Sequence, residues 1–293
     1  MCSTAPEEDS DNIFEFRTTQ CQPFKILFDI LKESVSSGNI YFTNEGIKIR
    51  TADRSNTQYI DVFLEAEKFD HYYYKISDDP DIIEEAYINI NIINLNTVLK
   101  SITASDNILK WSYKNGDTVL KVVIISKDKN EERAYEIKTQ DGDPAYPDPP
   151  YDMELYNYIL LLPCADLSSI LKDYKSLDQE SIQIKYINNS LIFSTPKKGN
   201  VVAHFTRSAS KTASDTSEEV NELVIKKEPK KISCYCDEFK FENLHNLSKC
   251  AKISGRGNNI AKILLLQEAS IIFEFNIGKL GYVRFYLTAN NSE

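Results

Sequence analysis

Apolar residues recur at helical spacing in four places along the chain, and the four copies share one pattern. Phe24, Leu27, Phe28 and Leu31 form the first stripe, Leu95, Val98, Leu99 and Ile102 the second, and Leu167, Ile170, Leu171 and Tyr174 the third. The fourth, Leu244, Leu247 and Ala251, carries Ser248 where the others have a large apolar residue. Spacing of i, i+3, i+4 and i+7 gathers such side chains on one face of a helix, which must then pack on something. The copies begin at 24, 95, 167 and 244, intervals of 71, 72 and 77 residues that exceed the repeat of a solenoid.

Each stripe is followed by two alternating runs around a turn. Ile40 and Phe42 precede Thr43-Asn44-Glu45-Gly46, with Ile47 and Ile49 beyond; Leu109, Trp111 and Tyr113 precede Lys114-Asn115-Gly116-Asp117, with Val119, Lys121 and Val123 beyond. Ile182, Ile184 and Tyr186 lead into Asn188-Asn189-Ser190 and then Leu191 and Phe193; Ile263 and Leu265 lead into 267–270 and then Ile271, Phe273 and Phe275. Alternation at period two predicts strands, and Asn-Gly predicts a hairpin because both central residues of a type I′ turn need positive φ. A short strand is also predicted ahead of each helix, at 13–16, 86–90, 158–162 and 232–236.

The unit is therefore strand–helix–strands, repeated four times, and the fold class is α+β with helices on one face and sheets on the other. Residues 141–150 hold four prolines, which no central strand tolerates, so this stretch reads as an extended linker. The copies group two and two: a flexible acidic tail at 1–12, a first domain at 13–138, a connecting linker at 139–155 and a second domain at 156–293. The polar run 208–219 reads as a surface loop.

Composition narrows the chemistry. With Gly at 9 and Tyr and Phe at 17 and 14 in 293 residues, strands with packed aromatic faces are favoured over Gly-rich phosphate loops. The six cysteines include one close pair, Cys234 and Cys236, with no second pair or nearby His to complete a metal site, so reduced structural thiols and no cofactor are expected. His71, His204 and His245 are scattered, the carboxylates at 78–85 form a solvated run, and no nucleophile elbow or Walker loop is present. An enzyme is not expected. Apolar runs are too short to span a bilayer, and the acidic first residues do not read as a signal peptide.

The net charge of −10 argues against nucleic acid until the lysines are placed. The sixth and ninth positions of the four stripes are Asp29 and Lys32, Lys100 and Thr103, Lys172 and Lys175, Lys249 and Lys252, so six of eight are lysine. Lys25 adds a seventh cation on the first helix. A helix layer of this kind would present a basic face on an acidic body and meet phosphates without reading sequence.

The repeat, the mid-chain linker and these lysines together resemble the proliferating cell nuclear antigen family of sliding clamps. Phe14-Glu15-Phe16-Arg17, Ile47-Lys48-Ile49-Arg50-Thr51-Ala52-Asp53, Ile272-Phe273-Glu274-Phe275 and the run from Leu280 through Gly281, Tyr282 and Val283 to Leu287 carry the likeness, which spans 13–289. The resemblance implies a DNA clamp fold closing into a homotrimeric ring around duplex DNA, a processivity factor that tethers replication and repair proteins. It places Lys25, Lys32, Lys100, Lys172, Lys175, Lys249 and Lys252 toward DNA. Glu242 and Ser169 depart from the family's basic positions. It implies a subunit contact between edge strands at 132–138 and 200–208, with Tyr135, Ile137, Val202 and His204 in it and Tyr135 as anchor. It also implies a pocket for partner peptides bearing a glutamine and aromatic anchors, at Ala52, Asp53, Thr57, Tyr59, Tyr146, Ser270, Tyr286 and Thr288. Ala145-Tyr146 stands where aliphatic contacts are usual, and no proline follows Ala289. A DNA polymerase, other carriers of clamp-binding peptides and a clamp loader are the implied partners, in the nucleus or at a cytoplasmic viral replication site. The residues leave open a subunit of a heterotrimeric checkpoint-type clamp, a non-ring processivity factor or a peptide-binding scaffold.

Overall fold

The structure is a computed structural model that describes residues 12–53, 55–75, 86–103, 107–114, 116–143, 148–150, 152–196, 201–209, 211–212, 222–227, 234–255, 259–266 and 270–290. Tyr146, residues 1–11, the carboxylate-rich run 78–85, most of the 208–219 loop, Asn115, 232–233 and 267–269 lie outside the described residues.

Each repeat is realised as a strand, a helix and three further strands. In the first copy Asn12–Thr18 leads into helix α1, Cys21–Ser34, followed by Ser37–Thr43, Gly46–Ala52 and Gln58–Glu65. In the second, Ala86–Asn91 leads into α2, Ile92–Leu99, then Asn107–Lys114, Val119–Ser126 and Glu131–Gln140. The third has Tyr158–Pro163, α3 (Cys164–Lys175), Ser181–Ile187, Ser190–Ser194 and His204–Ser208. The fourth has Tyr235–Lys240, α4 (Phe241–His245), Ile260–Leu265, Ser270–Ile277 and Gly281–Thr288. The last leading strand therefore runs later than the predicted 232–236.

Copies are completed in pairs by exchange of their leading strands. Asn12–Thr18 pairs with Asn107–Lys114 of the second copy, setting Phe16 opposite Trp111, while Ala86–Asn91 pairs with Ser37–Thr43 of the first. The second domain repeats this, with Leu160 opposite Ile263 and Ile184 opposite Asp237. Neither copy of a pair can bury its apolar face alone. In the first domain Trp111, wholly buried, meets Phe16, Phe24 and Phe28 at ring-centroid distances of 5.0, 5.6 and 5.7 Å. Tyr158 with Tyr186 and Tyr174 with Phe241 play that part in the second, at 5.1 and 4.8 Å.

The turns follow the expected chemistry. Asn188 and Asn189 have φ of 49° and 59°, the left-handed pair that a two-residue hairpin needs. Gly46 has φ of 146°, and a Cβ there would fall 2.0 Å from the Leu64 carbonyl oxygen across the pairing with Glu65. Gly46→Ala must spread the two strands, and a loss of about 2–4 kcal/mol is expected, read as a lowered urea midpoint at unchanged slope.

The fourth helix differs from its expectation. Only one α turn forms, at Phe241–His245, and a 3₁₀ helix continues over Asn246–Lys252. Phe241, Leu244, Leu247, Cys250 and Ile253 are all buried, at intervals of three. With three residues per turn, i and i+3 eclipse, so this spacing makes one straight apolar line in a 3₁₀ helix and would spiral around an α-helix. Cys250 is wholly buried in the core, and Ala251 packs against it only in part. Ser248 leaves its carbonyl to accept the Ser168 hydroxyl at 3.2 Å.

The helical segments lie side by side in the order α2, α1, Asn246–Lys252, α3, since α1 touches both its neighbours and α3 touches the 3₁₀ segment. Strands Gln58–Glu65 and Gly281–Thr288 pair over seven residues and join the two domains, so fifteen strands form one continuous sheet, with four more in a second.

Candidate functional site

The lysines of the helix layer fall into two groups. Lys100, Lys172, Lys175 and Lys252 are exposed and make no ion pair among the described residues. Lys32 lies 2.5 Å from Asp29 and 3.8 Å from Glu33, and Lys249 reaches across the domain boundary to Glu33 at 2.9 Å and Asp29 at 3.5 Å. Two cations are thus balanced by two carboxylates of α1. Partial burial pushes Asp29 up, but the Lys32 hydrogen bond and the charges of Lys249 and Lys32 outweigh it and hold the carboxyl below its ordinary value. Burial depresses Lys249, yet its contacts with Glu33 and Asp29 raise it on balance. Both shifts keep the network charged at neutral pH.

Lys25 has a different task. Its ammonium donates to the Ile102 carbonyl at 2.7 Å and the Lys100 carbonyl at 3.4 Å. These are orphan acceptors past the end of α2, where the helix dipole also favours a cation. Lys25 therefore ties α1 to α2.

On the sheet face opposite the helices, register arranges side chains into rows that cross the strands. One row runs Ala52, Tyr59, Tyr286, Ile272, Leu264, Ile159, each opposite the next, and spans both domains. Tyr59 and Tyr286 meet edge to face at 5.4 Å. Met153 and Tyr156 pack on this row, with the Tyr286 hydroxyl 3.9 Å from the Met153 sulfur and Tyr156 and Ser270 hydroxyls 2.6 Å apart. Five expected peptide-site residues thus belong to one surface: Ala52, Tyr59, Ser270 and Tyr286 in or against the row, and Thr288 opposite Ser270 at its end. Ile272 joins this surface through strand register, and Met153 and Tyr156 through the packing of the segment ahead of Tyr158–Pro163, neither of which local spacing in the sequence discloses.

Asp53 and Thr57 shape the adjoining loop. The Asp53 carboxylate accepts the Gln58 amide at 2.8 Å and the Thr57 hydroxyl at 3.0 Å, and the Ser55 hydroxyl as well. The Thr57 hydroxyl also accepts Asn243 from the second domain at 3.1 Å. These bonds hold Asp53 below the usual carboxylate range despite its partial burial.

Among the open sheet edges of the described residues are the two at which subunit contacts are expected. Glu131–Gln140 pairs with Val119–Ser126 through Lys138 but with Ala86–Asn91 only at Thr139 and Gln140. His204–Ser208 pairs on one side alone, with Ser190–Ser194. Ile137 is buried, Tyr135 is half-buried against the core, His204 is exposed, and Val201 and Val202 are 46% and 62% exposed. Phe205, half-buried at the second edge and 6.3 Å from Tyr174, was not anticipated, although alternation with His204 and Thr206 could have shown it. Among the described residues no cluster of metal-ligating side chains exists, and no helix is long and apolar enough to cross a membrane.

Comparison with known proteins gives this geometry a context. Residues 13–145 match the family described as "Proliferating cell nuclear antigen, N-terminal domain". The chain is 24% identical to the "Probable DNA polymerase sliding clamp 1" of Paramecium bursaria Chlorella virus 1, over 95% of this chain and 98% of the relative. It is also 24% identical to the proliferating cell nuclear antigen of Chaetomium thermophilum, over 94% and 97%. Among solved structures, the proliferating cell nuclear antigen of Entamoeba histolytica superposes with a TM-score of 0.77 at 20% identity, covering 95% of this chain and 99% of that one. The PCNA2–PCNA3 complex of Sulfolobus tokodaii gives 0.73 at 17%, covering 94% and 99%. With the strand–helix repeat, the two-domain sheet and the helix layer in place, the chain carries the proliferating cell nuclear antigen N-terminal domain at 13–145 and is similar along nearly its whole length to sliding clamps of that family.

Proposed function

We propose that this chain is a DNA sliding clamp subunit: three copies close head to tail around duplex DNA and tether polymerases and repair proteins. The observation that carries the reading is the fate of the third strand after each helix. In copies one and four these strands, Gln58–Glu65 and Gly281–Thr288, pair with each other and join the domains. In copies two and three the same strands, Glu131–Gln140 and His204–Ser208, are left open along most of their length or on one side. Pairing one chain's second-copy edge with the next chain's third-copy edge repeats between subunits the joint already made within each. Such a contact is heterologous and either closes into a ring or grows without limit; closure leaves neither of these two edges unpaired.

The helix layer then faces DNA, with Lys100, Lys172, Lys175 and Lys252 as phosphate contacts. Lysine suits this, since a point charge on a flexible stem holds a backbone without locking to it. The apolar row with Tyr59 and Tyr286 receives partner peptides, and the reading assigns the chain tethering, not catalysis. A clamp loader would open the ring, in the nucleus or at a cytoplasmic viral replication site.

Light scattering of the purified chain is expected to give three times 33.6 kDa. The protein, once loaded, should stay on closed circular DNA and slide off after linearisation. A monomer at micromolar concentration, or equal retention on both DNA forms, would sink the ring. The Sulfolobus tokodaii structure is a PCNA2–PCNA3 complex. A heteromeric assembly is therefore the second reading, and the mass of the chain alone separates the two.

A further inference from the structure

Next to the apolar row lies a row of alternating charge. Lys262, Glu274, Arg284, Asp61 and Arg50 stand opposite one another in turn across five strands, spanning the joint between the domains. Lys262 lies 3.2 Å from Glu274, Arg284 Nε 2.6 Å from Glu274, Arg284 Nη1 3.9 Å from Asp61, and Arg50 Nε 3.0 Å from Asp61. The two anions are the more buried members, with side-chain exposures of 5% for Asp61 and 14% for Glu274. The row holds three cations and two anions and ends in a cation on either side. At the Arg50 end, the linker contributes Asp148 to Nη1 at 4.0 Å, with that carboxylate side chain 94% exposed.

Asp148 is a poorly held anion at a well-built cation. A contact of this length and exposure is weak, because solvent screens it and the long side chains lose freedom to keep it. Arg50 itself is fixed, because Nε is committed to buried Asp61 and the guanidinium cannot lose its proton. Nη1 is the guanidinium nitrogen that faces the linker carboxylate of Asp148. Arg50 also stands two residues before Ala52 on the same strand face, so this cation flanks the end of the apolar row where Tyr59 sits.

We propose that Arg50 is a carboxylate receptor for partner peptides, and that linker Asp148 is the tethered anion a partner's Asp or Glu displaces. This rests on the reading of the apolar row as the peptide pocket, and it specifies which partners the pocket prefers: segments whose aromatic anchors are flanked by acidic side chains. Exchange of one carboxylate for another leaves the charge row balanced throughout. It also frees the linker from Arg50 as the peptide arrives.

The test uses the full-length assembled protein and two fluorescein-labelled peptides with the same glutamine and aromatic anchors. In one the flanking residues are Asp and Glu, in the other Asn and Gln. Anisotropy at moderate salt should show the acidic peptide binding about fivefold tighter, the size of one partly screened charge contact. Arg50→Gln should bring that ratio to about one, and Asp148→Asn should tighten the acidic peptide about twofold or more while leaving the amide peptide unchanged. Equal binding of the two peptides to the unaltered protein, or a ratio that survives Arg50→Gln, overturns the receptor. Should Arg50→Gln fail to fold, an unchanged ratio in Asp148→Asn overturns the exchange. If neither peptide binds, the pocket reading falls and takes this one with it; if the amide peptide binds as well as the acidic one, the pocket stands and only the receptor is lost.

Discussion

If the chain assembles as proposed, Tyr135→Ala is expected to give monomers. Along Glu131–Gln140 the residues 131, 133, 135 and 137 point to the core side, and Tyr135 is the large side chain that is buried only in part. Phe205 occupies the corresponding side of the other open edge. Pairing these edges between chains would bring two incompletely buried aromatics to one inner surface, beneath a ladder of main-chain bonds. Truncating an aromatic anchor at such a centre costs about 2 kcal/mol or more per interface, roughly thirtyfold in affinity, and a ring of three has three such interfaces. The mass in light scattering should fall from three times 33.6 kDa to one. Secondary structure should persist, since Glu131–Gln140 keeps its pairing with Val119–Ser126. Tyr135→Phe, which keeps the aromatic ring, should keep the assembly. An intact trimer in the double variant Tyr135→Ala, Phe205→Ala would show that these edges do not form the subunit contact.

The two edges illustrate what the sequence makes legible. Alternation and helical stripes disclose every copy of the repeat, because each copy must bury one face and so repeats its apolar spacing. Tyr135 could be singled out from the likeness to a family, and the hairpin at Asn188-Asn189 from the demand for positive φ. The fourth helix was misread for a physical reason: apolar residues at 241, 244, 247, 250 and 253 fit a 3₁₀ line, while 244, 247 and 251 also fit an α stripe. Spacing alone favours whichever helix one assumes. The charge row was invisible because its members, from Arg50 to Arg284, are adjacent only through strand register. Lysine slots told a partial truth. Lys249 lies 216 positions from Glu33, so nothing local indicates that this cation is balanced.

That balance makes a sharp expectation for DNA. Changing exposed Lys100, Lys172, Lys175 and Lys252 to Gln should weaken retention on circular DNA on the order of a hundredfold or more. The slope of log affinity against log salt should fall by about 0.9 for each phosphate that is no longer neutralised. Changing the paired set together, Asp29→Asn, Glu33→Gln, Lys32→Gln and Lys249→Gln, removes two cations and two anions. Its net charge is unaltered, and DNA retention should stay near that of the unaltered protein. The decisive variant is the half-change. Asp29→Asn with Glu33→Gln leaves Lys32 and Lys249 without their carboxylates, on the helix layer beside the exposed four. Binding should then become tighter and more salt-dependent than in the natural chain. Burial and fold are little disturbed by these isosteric changes, so a gain in salt slope can come only from cations newly available to phosphate. If the paired lysines already contact DNA in the natural chain, removing the carboxylates changes the slope little, while the charge-neutral fourfold variant loses as much as the exposed one.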